Sequence, residues 1–367
     1  MTNTRPFLIA LSFGVALSIA LPASAQLGKL GQLGDKLQKA KEVKDKVDDL
    51  RFTDAEEQQL GSQISEMLRQ KYGVVQDKAV HKYVTLVGSN LAQSSSRPNL
   101  SWTFIVLDTD GVNAFAAPGG FIHVTRGALA LMQNEAELAG VLGHEITHVT
   151  ARHTISAIQK ARGVAAVASA TRNGLISQVA NKGYEVVLEN SFDRKEEMEA
   201  DRNGVILAGK AGYTPAALGG FLTRLADRNK DLKDPSGIFA SHPETAARMD
   251  GLAKVIAAEK LAGTATVQAR FRQTVVYKPV PVAQVATAAG GAAAAAPTAA
   301  DPKPGGGKFG LSGLSSLGKE KSSTQTVSSA GSRGVNPDRD AKGGPDKSLV
   351  VVTVTPAELA DFRTGIV

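Results

Sequence analysis

Three of the six histidines of this 367-residue chain stand within ten positions of one another, in VLGHEITHVTARHT, Val141 to Thr154. An α-helix turns about 100° per residue, so His144 and His148 lie about 40° apart on one face, one turn from each other. Both can reach a single metal ion. On a continuous helix His153 falls about 140° further round and points away, which leaves it a place in solvent or in the layer behind a ligand. Glu145 stands between the pair and completes His-Glu-x-x-His, a spacing in which the carboxylate can take a proton from an attacking water. Zinc wants a third protein ligand. The continuation Gly-x-x-His that would supply one is missing, because Ala151 and Thr154 occupy its marked positions. About fifty residues on, SFDRKEEMEADRNGV places Glu197 and Asp201 four apart on one helical face. The glutamate can complete a His-His-Glu set, and the aspartate can hold a ligand histidine by its other ring nitrogen. Glu196 and Glu199 of the same run read as a solvated face. The apolar continuation through Val205, Ile206 and Leu207 marks the helix as packed.

These residues need elements to position them. Thr53-Asp54-Ala55-Glu56 has the form of a capping box and predicts a helix running to Tyr72, with a second from Asp77 to Leu91. LSWTFIVLD, Leu100 to Asp108, predicts a strand, and Pro118-Gly119-Gly120 predicts a turn before a second strand from Phe121 to Thr125, as in a hairpin or a paired edge. One long helical pattern covers Ala128 to about Gln159. Further helices are expected at Phe192 to Ala208, Thr214 to Asp227 and Pro243 to Leu261. The expected class is α+β, mostly helical with a small antiparallel sheet. A possible strand follows at Phe271 to Val280, then Ala, Gly, Pro, Ser and Lys take over, a composition too poor in apolar residues to offset its ordering entropy. SLVVVTVTPAELADFRTGIV at the end reads as an ordered strand and helical turn.

Residues 1–25 carry one cation, Arg5, an apolar run from Phe7 to Leu21 and the small-residue site Ala23-Ser24-Ala25, the pattern of a secretory signal. The run is shorter than the roughly 20 residues a spanning helix needs. The expected organisation is a signal at 1–25, an amphipathic or linker lead-in at 26–51, a folded domain at 52–262, a basic low-complexity tail at 263–347 and a short ordered segment at 348–367. With no cysteine, the chain has neither a disulfide framework nor a lipoprotein cysteine after the signal. Of the net charge of +7, most sits in the tail, where residues 264–367 hold 12 Lys and Arg against 7 Asp and Glu. Such a tail could touch an anionic membrane surface weakly. It lacks the aromatic interleaving that stacks on bases, so nucleic acid is not an expected partner.

NAFAAPGGFIHVTRGAL, ELAGVLGHEITHVTARH, DRKEEMEADRNGVILAGKAGY and SHPETAARM, in this order, resemble the zinc endopeptidases of metallopeptidase family forty-eight over roughly Phe52 to Leu261. The resemblance implies a zincin-type core with one Zn2+ per chain on His144, His148 and Glu197, Glu145 as the catalytic base and Asp201 behind the ligands. Asp193 stands where many relatives have serine, with little expected effect on zinc. The strand residues Phe121, Ile122, His123 and Val124 resemble the family's substrate-pairing edge. The segment holding His242 and Arg248 is placed near the zinc, and three readings of His242 stay open: a helix-entry residue, an oxyanion donor together with Arg248, or a plug in zinc's fourth position, the last preferred. The implied function is periplasmic proteolysis of unfolded or misassembled exported proteins, that is, protein quality control. The alternative is a chaperone or assembly factor whose zinc is structural. The habits of branches with multi-span membrane helices or a helical-repeat domain are not carried over.

Overall fold

The computed structural model describes residues 52–161, 172–189, 192–230, 245–285 and 343–366. The expected signal, the lead-in, His242 and nearly all of the low-complexity tract lie outside them.

The capping box opens the first helix as its sequence predicts. The Thr53 hydroxyl accepts from the Glu56 N–H at 3.2 Å and the Glu56 carboxylate accepts from the Thr53 N–H at 2.8 Å, and α1 runs over Asp54–Tyr72. Asp77 caps α2, Lys78–Ala92. The strands are β1, Thr103–Leu107, β2, Ala114–Ala117, and β3, Phe121–Thr125. Gly119, at φ 72°, makes the Pro118–Gly120 turn between the last two, so the expected hairpin is present.

The sheet order is β1-β3-β2, with β3 antiparallel to β2 and parallel to β1. The sheet is therefore mixed rather than antiparallel. Its order also corrects the expectation for Phe121, Ile122, His123 and Val124. They form the central strand, their backbone groups face strands on both sides, and all four residues are buried. A substrate segment has no free edge there.

The long pattern from Ala128 to Gln159 is three helices, not one. They are α3, Arg126–Leu131, α4, Glu135–Thr150, and α5, His153–Ala161. Asn134 caps α4 from its side chain, which accepts from the Glu137 N–H. Arg152, at φ 59°, turns the chain between α4 and α5. Then come α6, Arg172–Glu189, which was not expected, α7, Arg194–Lys210, α8, Ala217–Asn229, and α9, Thr245–Ala258. Where a strand was expected from Phe271, the chain forms a short helix, α10, Gln268–Thr274, and continues extended. The last element is α11, Pro356–Thr364, opened by a capping box at Thr355. The valine-rich stretch before it, expected as a strand, belongs to no sheet.

Helix α4 is the axle of the fold. Every residue from Glu135 to Val149 is buried, which is the behaviour of a helix covered on all sides. Its polar side chains therefore need partners. Glu135, at its first turn, accepts from Tyr83 Oη at 2.7 Å, Tyr213 Oη at 2.6 Å and Arg270 Nε at 2.7 Å. The Arg270 guanidinium lies 3.9 Å over the Phe362 ring, and Phe271, Leu359, Phe362 and Ile366 are buried. Packing thus continues well past residue 262, where the domain was expected to end. The terminal residues also return to the start of the domain: Gly344 N–H donates to Asp108 O at 2.7 Å, Arg69 Nη1 to Lys347 O at 2.8 Å and Arg363 Nε to Asn90 Oδ1 at 2.6 Å.

His81 and His123 are fully buried, with ring nitrogens 2.9 Å from Val75 O and from Ser65 Oγ. Burial lowers both pKa values, His123 to about 3. The unfolded chain binds these protons near the ordinary histidine pKa and the folded chain does not, so stability is full above about pH 6.5 and falls toward pH 3. Between pH 6.5 and pH 4 His123 alone is expected to remove about 3 kcal/mol. Melting of the metal-free protein across that range checks this, and His123→Gln, which has nothing to protonate, should flatten the slope.

Candidate metal centre

Helices α4 and α7 cross where glycine faces glycine. A Cβ on Gly204 would sit 2.7 Å from the backbone nitrogen of His144, and one on Gly143 would sit 2.7 Å from Gly204 O. No larger residue fits either position, so the two backbones approach closely enough for side chains one turn along to meet. Nothing in the spacing of the chemical residues announced this pair.

At the crossing His144, His148 and Glu197, all buried, present ligand atoms within 4.8 Å of one another, a set able to hold a metal ion. The Nε2 atoms of His144 and His148 are 3.0 Å apart. Glu197 Oε2 lies 3.6 Å from the first and Oε1 3.5 Å from the second. The residues expected to be ligands are thus brought together. Glu145, one residue along from His144, is fully buried. Burial first, then the Glu197 charge, pushes its carboxyl well above the usual range against the pull of Arg248. Burial also raises Glu197, to about 7, although the charges of His144 and Arg248 work the other way.

Asp201 takes the expected position behind His144, its Oδ1 3.0 Å from Nδ1. Arg248 is buried and grips Asp201 with two bonds, Nε to Oδ2 at 2.8 Å and Nη2 to Oδ1 at 2.7 Å, while Nη1 lies 3.4 Å from Glu197 Oε2. Burial alone would raise the Asp201 carboxyl, but Arg248 and His144 hold it well below the usual range. The family resemblance placed Arg248 near the metal site, and it lies there, bonded to Asp201.

Two further readings change. Glu196 is buried, not solvated, because it closes a capping box with Asp193 at the start of α7, with bonds of 2.9 and 3.0 Å. Aspartate caps a helix as well as serine does, which accounts for Asp193 at this position. His153 is buried too, since the turn at Arg152 swings it back, and its Nδ1 lies 2.9 Å from Nδ1 of His148.

Residues 78–256 match the family model described as peptidase family M48. The chain carries a peptidase family M48 domain. It is 28% identical over 203 residues, 51% of this chain and 41% of the relative, to the beta-barrel assembly-enhancing protease of Yersinia pestis. Over 124 residues, 34% of this chain and 26% of the relative, it is 36% identical to the mitochondrial metalloendopeptidase OMA1 of Arabidopsis thaliana. It is 34% identical over 144 residues, 37% of this chain and 56% of the relative, to the metalloprotease LoiP of Escherichia coli strain K12. The chain thus covers less than two thirds of each of these relatives. The M48 match contains α4 and α7 whole, and with them every residue of the triad. Among the described residues, no helix is long and apolar enough to cross a membrane.

Proposed function

We propose that this chain is a zinc-dependent endopeptidase, with His144, His148 and Glu197 as metal ligands and Glu145 as its base. The observation that carries the reading is the buried triad with Glu145 one residue away. Tetrahedral zinc with bonds of about 2.0–2.2 Å needs donor atoms roughly 3.3–3.6 Å apart. The two separations to Glu197, 3.5 and 3.6 Å, match that spacing, and the two histidine nitrogens, at 3.0 Å, stand somewhat closer. A structural site is closed by four protein ligands, and the set among the described residues has three.

When bound, zinc supplies Lewis-acid polarisation of the scissile carbonyl and makes water more acidic. The chain does the rest. The Glu145 carboxylate, buried beside the ligand set, takes the proton of the attacking water and delivers it to the departing amine nitrogen as the C–N bond breaks. Asp201 keeps a proton on Nδ1 of His144, so that Nε2 offers its lone pair to the ligand set. Arg248 fixes Asp201.

The substrates proposed are unfolded or misassembled proteins of the periplasm. The secretory pattern of residues 1–25 supports export, and a relative's name links assembly of beta-barrels to proteolysis. The test is cleavage of an unfolded protein such as casein before chelation, after it, and after zinc is returned, with Glu197→Ala alongside. Activity should vanish and return with zinc, and Glu197→Ala should lose both zinc and activity. Cleavage that survives chelation would rule the reading out. Tight zinc binding with no cleavage would favour the chaperone alternative.

A further inference from the structure

The two ligand histidines are held from behind by different chemistry. His144 leans on a carboxylate, Asp201, that an arginine clamps. His148 leans on a second histidine. Its Nδ1 is 2.9 Å from Nδ1 of His153, and on the far side of that ring Nε2 is 3.6 Å from Glu199 Oε2. One face of His148 is covered by the Phe192 ring, with centroids 4.1 Å apart and planes at 28°. The imidazole thus has one edge and one face fixed.

Only one arrangement of protons suits this chain of contacts. If Nε2 of His148 is to offer a lone pair to a metal, its proton sits on Nδ1 and points at His153. Nδ1 of His153 must then be bare to accept it, which puts the His153 proton on Nε2, toward the Glu199 carboxylate. We infer that His153 is a positioning residue for the metal ligand His148, fixing its tautomer and ring orientation, with Glu199 in turn fixing His153. This rests on the metal-site reading above. A partner of this kind behind a ligand typically contributes 10–100-fold in metal affinity. Glu199 is half exposed, so water shares its work and its own share is the smaller.

Zinc affinity, measured by competition with a chromophoric chelator, tests this on wild type, His153→Phe and His153→Asn. The phenylalanine keeps a ring but has no acceptor. The asparagine can place its side-chain oxygen where Nδ1 stood. The expected result is a loss of about 10–100-fold for His153→Phe and recovery of most of it in His153→Asn. Equal affinity in all three would overturn the inference, while a wild type without zinc affinity would overturn the metal site itself. Should the phenylalanine variant fail to fold, nitrogen-detected NMR of zinc-loaded wild type decides by itself. Protons on Nδ1 of His148 and Nε2 of His153 are expected, and a proton on Nδ1 of His153 would overturn the inference.

Discussion

Glu145→Gln is expected to keep the fold and the zinc and to lose peptide hydrolysis by about 10²–10⁴-fold, the usual contribution of a positioned base. The substitution preserves shape and removes only the ability to accept a proton. Glu145 is not among the three converging ligand atoms, so affinity for the metal should hold. Its carboxyl is raised by burial and by the Glu197 charge, the direction that makes a carboxylate a stronger proton acceptor. Zinc content and casein cleavage, measured on one preparation, check both halves. Turnover retained in zinc-loaded Glu145→Gln would remove Glu145 from the mechanism.

Arg248→Met is expected to destabilise the metal-free protein by about 3–5 kcal/mol, the cost of breaking a buried ion pair from one side. Methionine fills much of the aliphatic volume but leaves Asp201 and Glu197 buried without the guanidinium that lies 2.7 and 3.4 Å from them. Protonation relieves part of that cost, so the loss should shrink in acid. Added zinc should restore part of the stability at neutral pH, because a cation on Glu197 replaces some of the missing charge. Denaturant unfolding with and without zinc gives both numbers. A change below about 1 kcal/mol in the metal-free protein would mean that Asp201 is held by something other than Arg248.

The chemistry was more legible in the sequence than the scaffold. The pair His144 and His148 around Glu145, and the pair Glu197 and Asp201, follow from helical spacing, since a four-residue interval fixes a shared face whatever surrounds it, but that the two pairs share one site was implied by the family resemblance. The capping boxes of α1 and of α11 are local as well, although only the first was read. What escaped depends on partners distant in sequence. His153 lies behind His148, one of the two places expected for it, but what brings it there was not foreseen, since one residue, Arg152, leaves the helical region and resets the angular count. The sheet order cannot be read from three short apolar runs, so Phe121 to Val124 looked like an edge until β1 was seen paired on the far side. The Gly143–Gly204 contact spans two helices, and a glycine's reason for being small is visible only when its neighbour is known. A strand was expected from Phe271 because the valines that follow the helix, Val275, Val276 and Val280, resemble one, while the contact that fixes the helix, Arg270 on Glu135, lies far away in the chain.

The return of residues 343–366 to the domain has a thermodynamic meaning. This stretch docks on the protein it belongs to. While the chain is whole, docking is intramolecular and independent of how dilute the protein is. One cut between the two would turn it into an ordinary bimolecular complex that dilution can take apart. The loss would not stay at the periphery, because Phe362 lies on Arg270 and Arg270 holds Glu135 at the first turn of the helix that carries both ligand histidines. The docked C-terminal residues are in this sense part of what holds the helix of His144 and His148 in place.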